Sequence, residues 1–221
     1  MLLKLHVEGQ TEQNFVTHIL KPHLEGIGYT VSAVVNPTAP GSRGGLSHYQ
    51  QFKKNAKNIK HGAPDCLLTT MIDLYGLPND FPGMDASRTI PDPWEKVASL
   101  EEALATDLAI DNFIPYIQLH EFEALLFSNI EMIDHVLSRA DVSSPLPQLK
   151  YILDYYDSPE NIDHNKGPSR HLQDICGKQQ YAKVVWGKEI ANMIGLPAMR
   201  EKCPHFDQWL KSLEEAVHSA D

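Results

Sequence analysis

Cysteine is scarce: the 221 residues hold three (Cys66, Cys176 and Cys203), and no two stand in a CxxC spacing. An odd, scattered set of thiols offers neither a disulfide framework nor a structural zinc site, and predicts reduced cysteines in a cytoplasmic protein. Long apolar runs are also lacking. The stretches 66–71 and 124–127 fall far short of the roughly 20 residues that a bilayer span needs. Lys4 and His6 interrupt the apolar start and no small-residue cleavage site follows, so no secretory leader and no membrane association are expected. Positive charge is short as well, with 19 Lys and Arg against 29 Asp and Glu, a net charge of −10. That balance excludes a broad nonspecific grip on nucleic acid, which comes from neutralising phosphates. It leaves room for a metal-dependent enzyme, because a metal site is itself acidic and a bound cation inverts the local charge. A GxxxxGK[ST] loop and a GxSxG elbow are both missing, which excludes P-loop nucleotide hydrolysis and α/β-hydrolase chemistry. There is no internal repeat and no low-complexity segment.

What is present is an ordinary folded composition, 42% hydrophobic and 22% charged. The length is enough to bury one good core with additions. Residues 2–7 alternate apolar and polar side chains as a strand does, then stop at Glu8 and Gly9. Thr11 is placed to cap a helix whose apolar stripe is Phe15, Ile19, Leu20, Leu24 and Ile27. Pro22 inside that stripe predicts a kink or an early end. The β-branched run 29–35 predicts a second strand, and the proline- and glycine-rich stretch 36–45 a loop. Residues 46–60 read as a helix, and the unbroken apolar run 66–72 as a strand buried on both faces. Four prolines in 77–93 predict irregular chain. A helix over 94–109, a strand over 113–119 and a helix start over 121–127 complete the pattern.

Strands alternating with helices imply βαβ units and a mainly parallel sheet flanked by helices. Beyond residue 128 only helical patterns occur, over 129–139, 146–155, 170–176, 181–194 and 205–218. The expected organisation is an α/β domain over 1–128 and a helical C-terminal extension over 129–221 packed on it.

Three of the apolar strands end in acid: LLKLHV at Glu8, CLLTTMI at Asp73 and FIPYIQLH at Glu121. As parallel neighbours they would gather their carboxylates at the carboxyl edge of the sheet, where open α/β folds bind ligands. Carboxylates so gathered repel one another unless a cation sits among them. Oxygen-only donors suit Mg²⁺ or Mn²⁺ rather than zinc. Glu8, Asp73 and Glu121 are therefore the candidate catalytic and metal-binding residues, with Glu123 a further candidate ligand. Glu121 and Glu123 face the same way on a strand but diverge by about 200° at a helix start, and the sequence leaves that choice open. His120 is a candidate ligand or proton shuttle near neutral pH. A single acid after a strand commonly caps the next helix or faces water; the coincidence of three carries the metal reading. Lys53, Lys57 and Lys60 share one helical face, with Arg43 ahead of it, and form a candidate phosphate track. Arg170 and Lys166, around the Gly-Pro-Ser turn, form a second candidate phosphate contact. A solvated helix face is the plain alternative for both.

VEGQTE (residues 7–12), following an opening strand, resembles the first motif of Toprim domains. These occur in topoisomerases, primases, recombination-mediator proteins and the overcoming-lysogenization-defect nucleases. TTMIDLYGLP (69–78), QLHEFEALLF (118–127) and GPSRHL (167–172) resemble more specifically an uncharacterised bacterial Toprim-like family, domain of unknown function 4276. The resemblance covers nearly the whole chain. It implies a Toprim-like fold, an acid/base or metal-ligand role for Glu8, and Mg²⁺ or Mn²⁺ binding by Asp73. The second Toprim motif is Asp-x-Asp, whereas Asp73-Leu74-Tyr75 keeps only its first acid. Nuclease relatives carry a further acid after a later strand, so the resemblance offers Glu121 or Glu123 as the replacement. The implied function is a metal-dependent nuclease acting on nucleic acid, in a bacterial anti-phage system with an ATPase partner. The rival expectation is a noncatalytic Toprim-like module that binds a partner protein or nucleic acid. No module for topoisomerase or primase action is recognisable, and the oligomeric state is left open.

Overall fold

The opening hexapeptide forms strand β1 (Leu2–Val7), whose Leu3, Leu5 and Val7 are fully buried. His6 is buried too, stacked flat on Phe52 at 4.3 Å. Burial pushes its pKa down to about 4, so the ring is neutral at physiological pH. These features come from a computed structural model that describes residues 1–36, 46–139, 143–162, 166–177 and 181–218. Arg43 and its glycine-rich surroundings lie outside the described residues. Packing divides the chain into two units, Met1–Gln118 with Trp209–Asp221, and Leu119–Gln208.

In the first unit the helix after β1 begins at Gln10, so Thr11 lies inside α1 (Gln10–Phe15) rather than capping it. A π-helical turn (Val16–Leu20) then leads into α2 (Lys21–Gly26). Pro22 lacks the N–H that an α-helix needs at that position, and the wider turn just ahead of it carries the chain on without a break. Strand β2 (Thr30–Val35), helix α3 (Tyr49–Gly62), strand β3 (Leu67–Asp73), the short helix α4 (Met84–Ser87) and helix α5 (Pro93–Leu108) follow. Asp92 caps α5 by accepting from the N–H groups of Trp94 and Glu95.

The expected strand over 113–119 is two short pieces, β4 (Phe113–Ile114) and β5 (Ile117–Gln118), interrupted at Pro115. Proline cannot donate to the ladder. The Thr70 hydroxyl bridges the gap, donating to the Tyr116 carbonyl at 2.9 Å and accepting from its N–H at 2.8 Å. The sheet order is β2-β1-β3-β4, with β5 also on β3, and every pairing is parallel. Strand β3 is buried at every residue, as its unbroken apolar run predicts.

Residues from Trp209 on return to this unit, a long-range contact with no local sequence signal. The Trp209 indole stacks on Tyr116 at 4.2 Å and donates to Thr69 Oγ1 at 2.9 Å. Tyr29 donates to the Leu213 carbonyl at 2.6 Å.

The second unit is built on a 3-10 turn (Phe122–Ser128) whose residues Phe122 to Phe127 are all buried. Around it lie α6 (Ile130–Arg139), α7 (Leu146–Tyr155), α8 (Pro168–Cys176), α9 (Lys183–Ile194) and α10 (Leu196–Lys202), and the division between units falls inside α11 (Pro204–His218). Buried Glu160 accepts from the N–H groups of His205 and Phe206 in the first turn of α11, at 3.0 and 3.1 Å. All three cysteines are unpaired and buried. Among the described residues no helix is long and apolar enough to cross a membrane.

Trp209→Ala removes both the stacked ring and the hydrogen bond to Thr69. It is expected to lower stability by about 3–5 kcal/mol, read as a drop in the urea unfolding midpoint. A loss below about 1 kcal/mol would show that the returning segment is not integral to the first unit.

Candidate metal centre

The register of the first unit sets the geometry of the acids. Val7 pairs with Met71 and Asp73 with Gln118, so Glu8, Asp73 and Gln118 end three adjacent parallel strands at the carboxyl edge. Glu8 prolongs the ladder, its N–H donating to the Met71 carbonyl at 3.3 Å. Its side chain turns to the neighbouring strand end, where Glu8 Oε2 accepts from the Asp73 N–H at 3.2 Å. Asp73 is 9% exposed. Gly76 closes the 3-10 turn Leu74–Gly76 directly against the Glu8 carboxylate: a Cβ there would lie 2.7 Å from Oε2. A side chain there would force the Glu8 carboxylate to move, so glycine leaves it room, and the DLYG stretch forms a backbone shelf on which Glu8 rests. Tyr75, two residues beyond Asp73, is 38% exposed.

Glu121 does not end a strand of this unit. Strand β5 stops at Gln118, and the chain enters the second unit at Leu119. His120 there adopts a left-handed backbone, φ 62°, and is 4% exposed. Histidine tolerates that region better than most residues, but only a surrounding structure that dictates it keeps it there.

Glu121 then takes the position before the 3-10 turn, and its carboxylate accepts from both the N–H and the hydroxyl of Ser169, at 2.9 and 2.7 Å. Gly167 repeats the arrangement at Gly76, since its Cβ would meet Glu121 Oε2 at 2.7 Å. The GPSRHL segment is thus the seat of the HEFE glutamate. Glu123 points elsewhere and is fully buried, with Lys183 Nζ 3.1 Å from its Oε2. Burial above all pushes its pKa up to about 7, against the opposing pull of Lys183. The two glutamates therefore take the divergent arrangement of a helix start. Ser169 was legible only as part of GPSRHL, and Lys183 carried no signal at all.

The lysine track is partly engaged. Lys53 pairs with Asp107 at 2.8 Å and Lys60 donates to the Cys66 carbonyl at 2.6 Å, while Lys57 stays exposed. Arg170 and Lys166 both pair with Asp174, at 3.0 and 3.1 Å. Among the described residues, no group of three or more His, Cys, Asp and Glu side chains is arranged to hold a metal ion.

A parallel α/β unit with an acid pair at its carboxyl edge, and a helical unit with its own seated glutamates, together define the class. The model of the domain of unknown function DUF4276 matches residues 7–214, and the chain belongs to that family. No curated protein matches it significantly. Two solved structures of the C-terminal region of the OLD protein of Xanthomonas campestris pv. campestris are similar. The one phased with iodine has 14% identity and a TM-score of 0.42, covering 99% of this chain and 96% of that one. The one phased with platinum has 15% identity and a TM-score of 0.45, covering 99% and 94%. No residue role follows from likeness at that level.

Gly76→Ala and Gly167→Ala each drive a methyl group into a carboxylate held by hydrogen bonds. Each is expected to cost about 1–3 kcal/mol in chemical denaturation. Gly26→Ala is the control, because a Cβ there meets nothing within 4 Å. Equal stability of all three variants would contradict the glycine shelves.

Glu123 also sets a pH dependence. Its folded-state pKa of about 7 lies above the ordinary 4.5, so the folded chain holds this proton more tightly than the unfolded one. The contribution is full below about pH 4.5 and is lost as pH rises through 7. Between pH 5 and 8, Glu123→Gln is expected to gain on the order of 1–3 kcal/mol relative to wild type. Parallel denaturation curves across that range would contradict it.

Proposed function

We propose that this chain is a cytoplasmic phosphodiesterase that cuts nucleic acid with Mg²⁺ or Mn²⁺, working beside an ATPase partner in bacterial anti-phage defence. The observation that carries the chemistry is the pairing of Glu8 with Asp73 at neighbouring strand ends, with Gly76 pressed against the Glu8 carboxylate. The nucleic-acid substrate, the ATPase partner and the defence setting rest on the Toprim-like motifs alone.

Two carboxylates at the carboxyl edge of a parallel sheet are a hard oxygen donor set. They fit Mg²⁺ or Mn²⁺, ions that keep several waters and take only one or two protein carboxylates. Glu8 and Asp73 would hold the ion, which when bound supplies Lewis-acid polarisation of a phosphate and a more acidic water. The chain's own part is positional. The Asp73 N–H orients the Glu8 carboxylate and Gly76 leaves it room, while Asp73 is itself largely buried. Glu8 is also placed to take a proton from an attacking water.

One arrangement favours a second reading, a noncatalytic module that binds a partner protein or nucleic acid. Tyr75 stands in place of the second motif acid, and Glu121 and Glu123 are engaged within their own unit by Ser169 and Lys183.

Cleavage separates the two. Purified protein, alone and with its ATPase partner, is expected to cut DNA or RNA in Mn²⁺ or Mg²⁺ and to stop in EDTA. Glu8→Gln and Asp73→Asn should each lower the rate by about a hundredfold or more with unchanged circular dichroism. Glu121→Gln and Glu123→Gln in the same assay test whether either carboxylate is needed for cleavage. Absence of cleavage under every one of these conditions would leave the binding module as the function.

A further inference from the structure

A cavity of ≈ 420 Å³ opens between α7 and α8, lined by Pro147, Tyr151 and Ile152 on one side and by Lys166, His171 and Ile175 on the other. That volume suits a single small ring-bearing ligand, and three features of the lining specify its chemistry. The first is aromatic. Tyr151 is 75% exposed, and Tyr155, one turn along the same face of α7, is 76% exposed. Rings held out in water contribute little to a core, and each offers a face for stacking.

The second is a polar atom without an occupation. His171 Nε2 is shielded from solvent and has no hydrogen-bond partner. Burial, and then the Lys166 charge, lower its pKa, so the ring is neutral and adds no charge to the lining. The third is charge. Lys166 and Arg170 share the single carboxylate of Asp174, at 3.1 and 3.0 Å. Two cations thus stand against one carboxylate here, Lys166 and Asp174 in the lining and Arg170 beside it. Asp174 holds the two cations in place without cancelling both.

Apolar walls, a stacking ring and a cation at the mouth complement one nucleotide whose base is unpaired. We propose that this cavity receives a nucleotide of single-stranded nucleic acid, its base stacked on Tyr151 and its phosphate on Lys166 and Arg170. The inference deepens the phosphodiesterase reading, and rests on it for nucleic acid as the substrate, by naming an unpaired strand as the form bound. A base inside a duplex stays stacked on its neighbours and cannot enter.

The test is fluorescence anisotropy of the full chain with a fluorescein-labelled single strand of about 12 nucleotides, as DNA and as RNA. Working in EDTA separates binding from cleavage. Wild type is expected to bind a single strand and to bind the matched duplex at least about tenfold more weakly. Tyr151→Ala should weaken single-strand binding by about tenfold or more, and Lys166→Ala should weaken it and flatten its salt dependence. Both side chains are solvent-facing, and circular dichroism checks that the variants stay folded. No single-strand binding by wild type, equal binding by Tyr151→Ala, or equal binding of the duplex each overturns the inference. Cleavage that Tyr151→Ala leaves unchanged overturns it while the phosphodiesterase reading stands. Single-strand binding that Tyr151→Ala abolishes, in a protein that cuts nothing, supports the cavity and overturns that reading instead.

Discussion

Strand β3 holds its neighbours in a register that decides where Glu8 lies relative to Asp73. It is buried along its whole length, with β1 on one side and β4 and β5 on the other. With Val7 set against Met71, Glu8 arrives beside the end of β3 and its carboxylate meets the Asp73 N–H. A one-residue slip would send each side chain of β1 to the opposite face, taking Leu3, Leu5 and Val7 out of their packing, His6 off Phe52 and Glu8 away from its partner. The repacking that such a slip would force on a strand buried at Leu3, Leu5, His6 and Val7 is what fixes the acid pair. The same strand supplies Thr70 to span the gap at Pro115, and Thr69 to anchor Trp209. Sheet continuity, the returning C-terminal segment and the candidate metal pair thus depend on one heptapeptide.

Much of this was legible in the sequence, for local reasons. An unbroken apolar run such as LLTTMI has few alternatives to a doubly buried strand, and an acid directly after it falls at the sheet edge by construction. The parallel sheet and the positions of Glu8 and Asp73 therefore follow from period and punctuation. The helical patterns beyond residue 129 also match α6, α7, α8, α9 and α11 closely. What was not legible depends on distant partners. Apolar residues on both sides of Pro115 masked the break, because the hydroxyl that bridges it sits 46 residues away. The left-handed backbone at His120, which carries Glu121 off the strand, is imposed by its surroundings and has no local signature. The spacing of Lys53, Lys57 and Lys60 specified a shared face, but the partner that engages Lys53 lies on α5.

The two units treat their motif glutamates in one way. Glu8 rests against Gly76 and Glu121 against Gly167, each with a backbone N–H directed at the carboxylate. A carboxylate held by backbone donors keeps a fixed orientation, and preorganisation of that kind is what a ligand or a developing charge exploits. These segments of the chain are in this sense pairs of an acid and its seat: VEG with DLYG, and HEFE with GPSRHL. Glu123 plays a different part, buried against Lys183 as an internal ion pair of the second unit.

The central claim, that Glu8 and Asp73 form a divalent-metal site, is tested most directly by anomalous diffraction from manganese-soaked crystals. If the proposed site exists, a Mn²⁺ peak is expected beside the carboxylates of both residues at the end of β1, with no such peak in Asp73→Asn crystals. A map at saturating Mn²⁺ with no peak beside these two carboxylates, or with the same peak in Asp73→Asn, would contradict it.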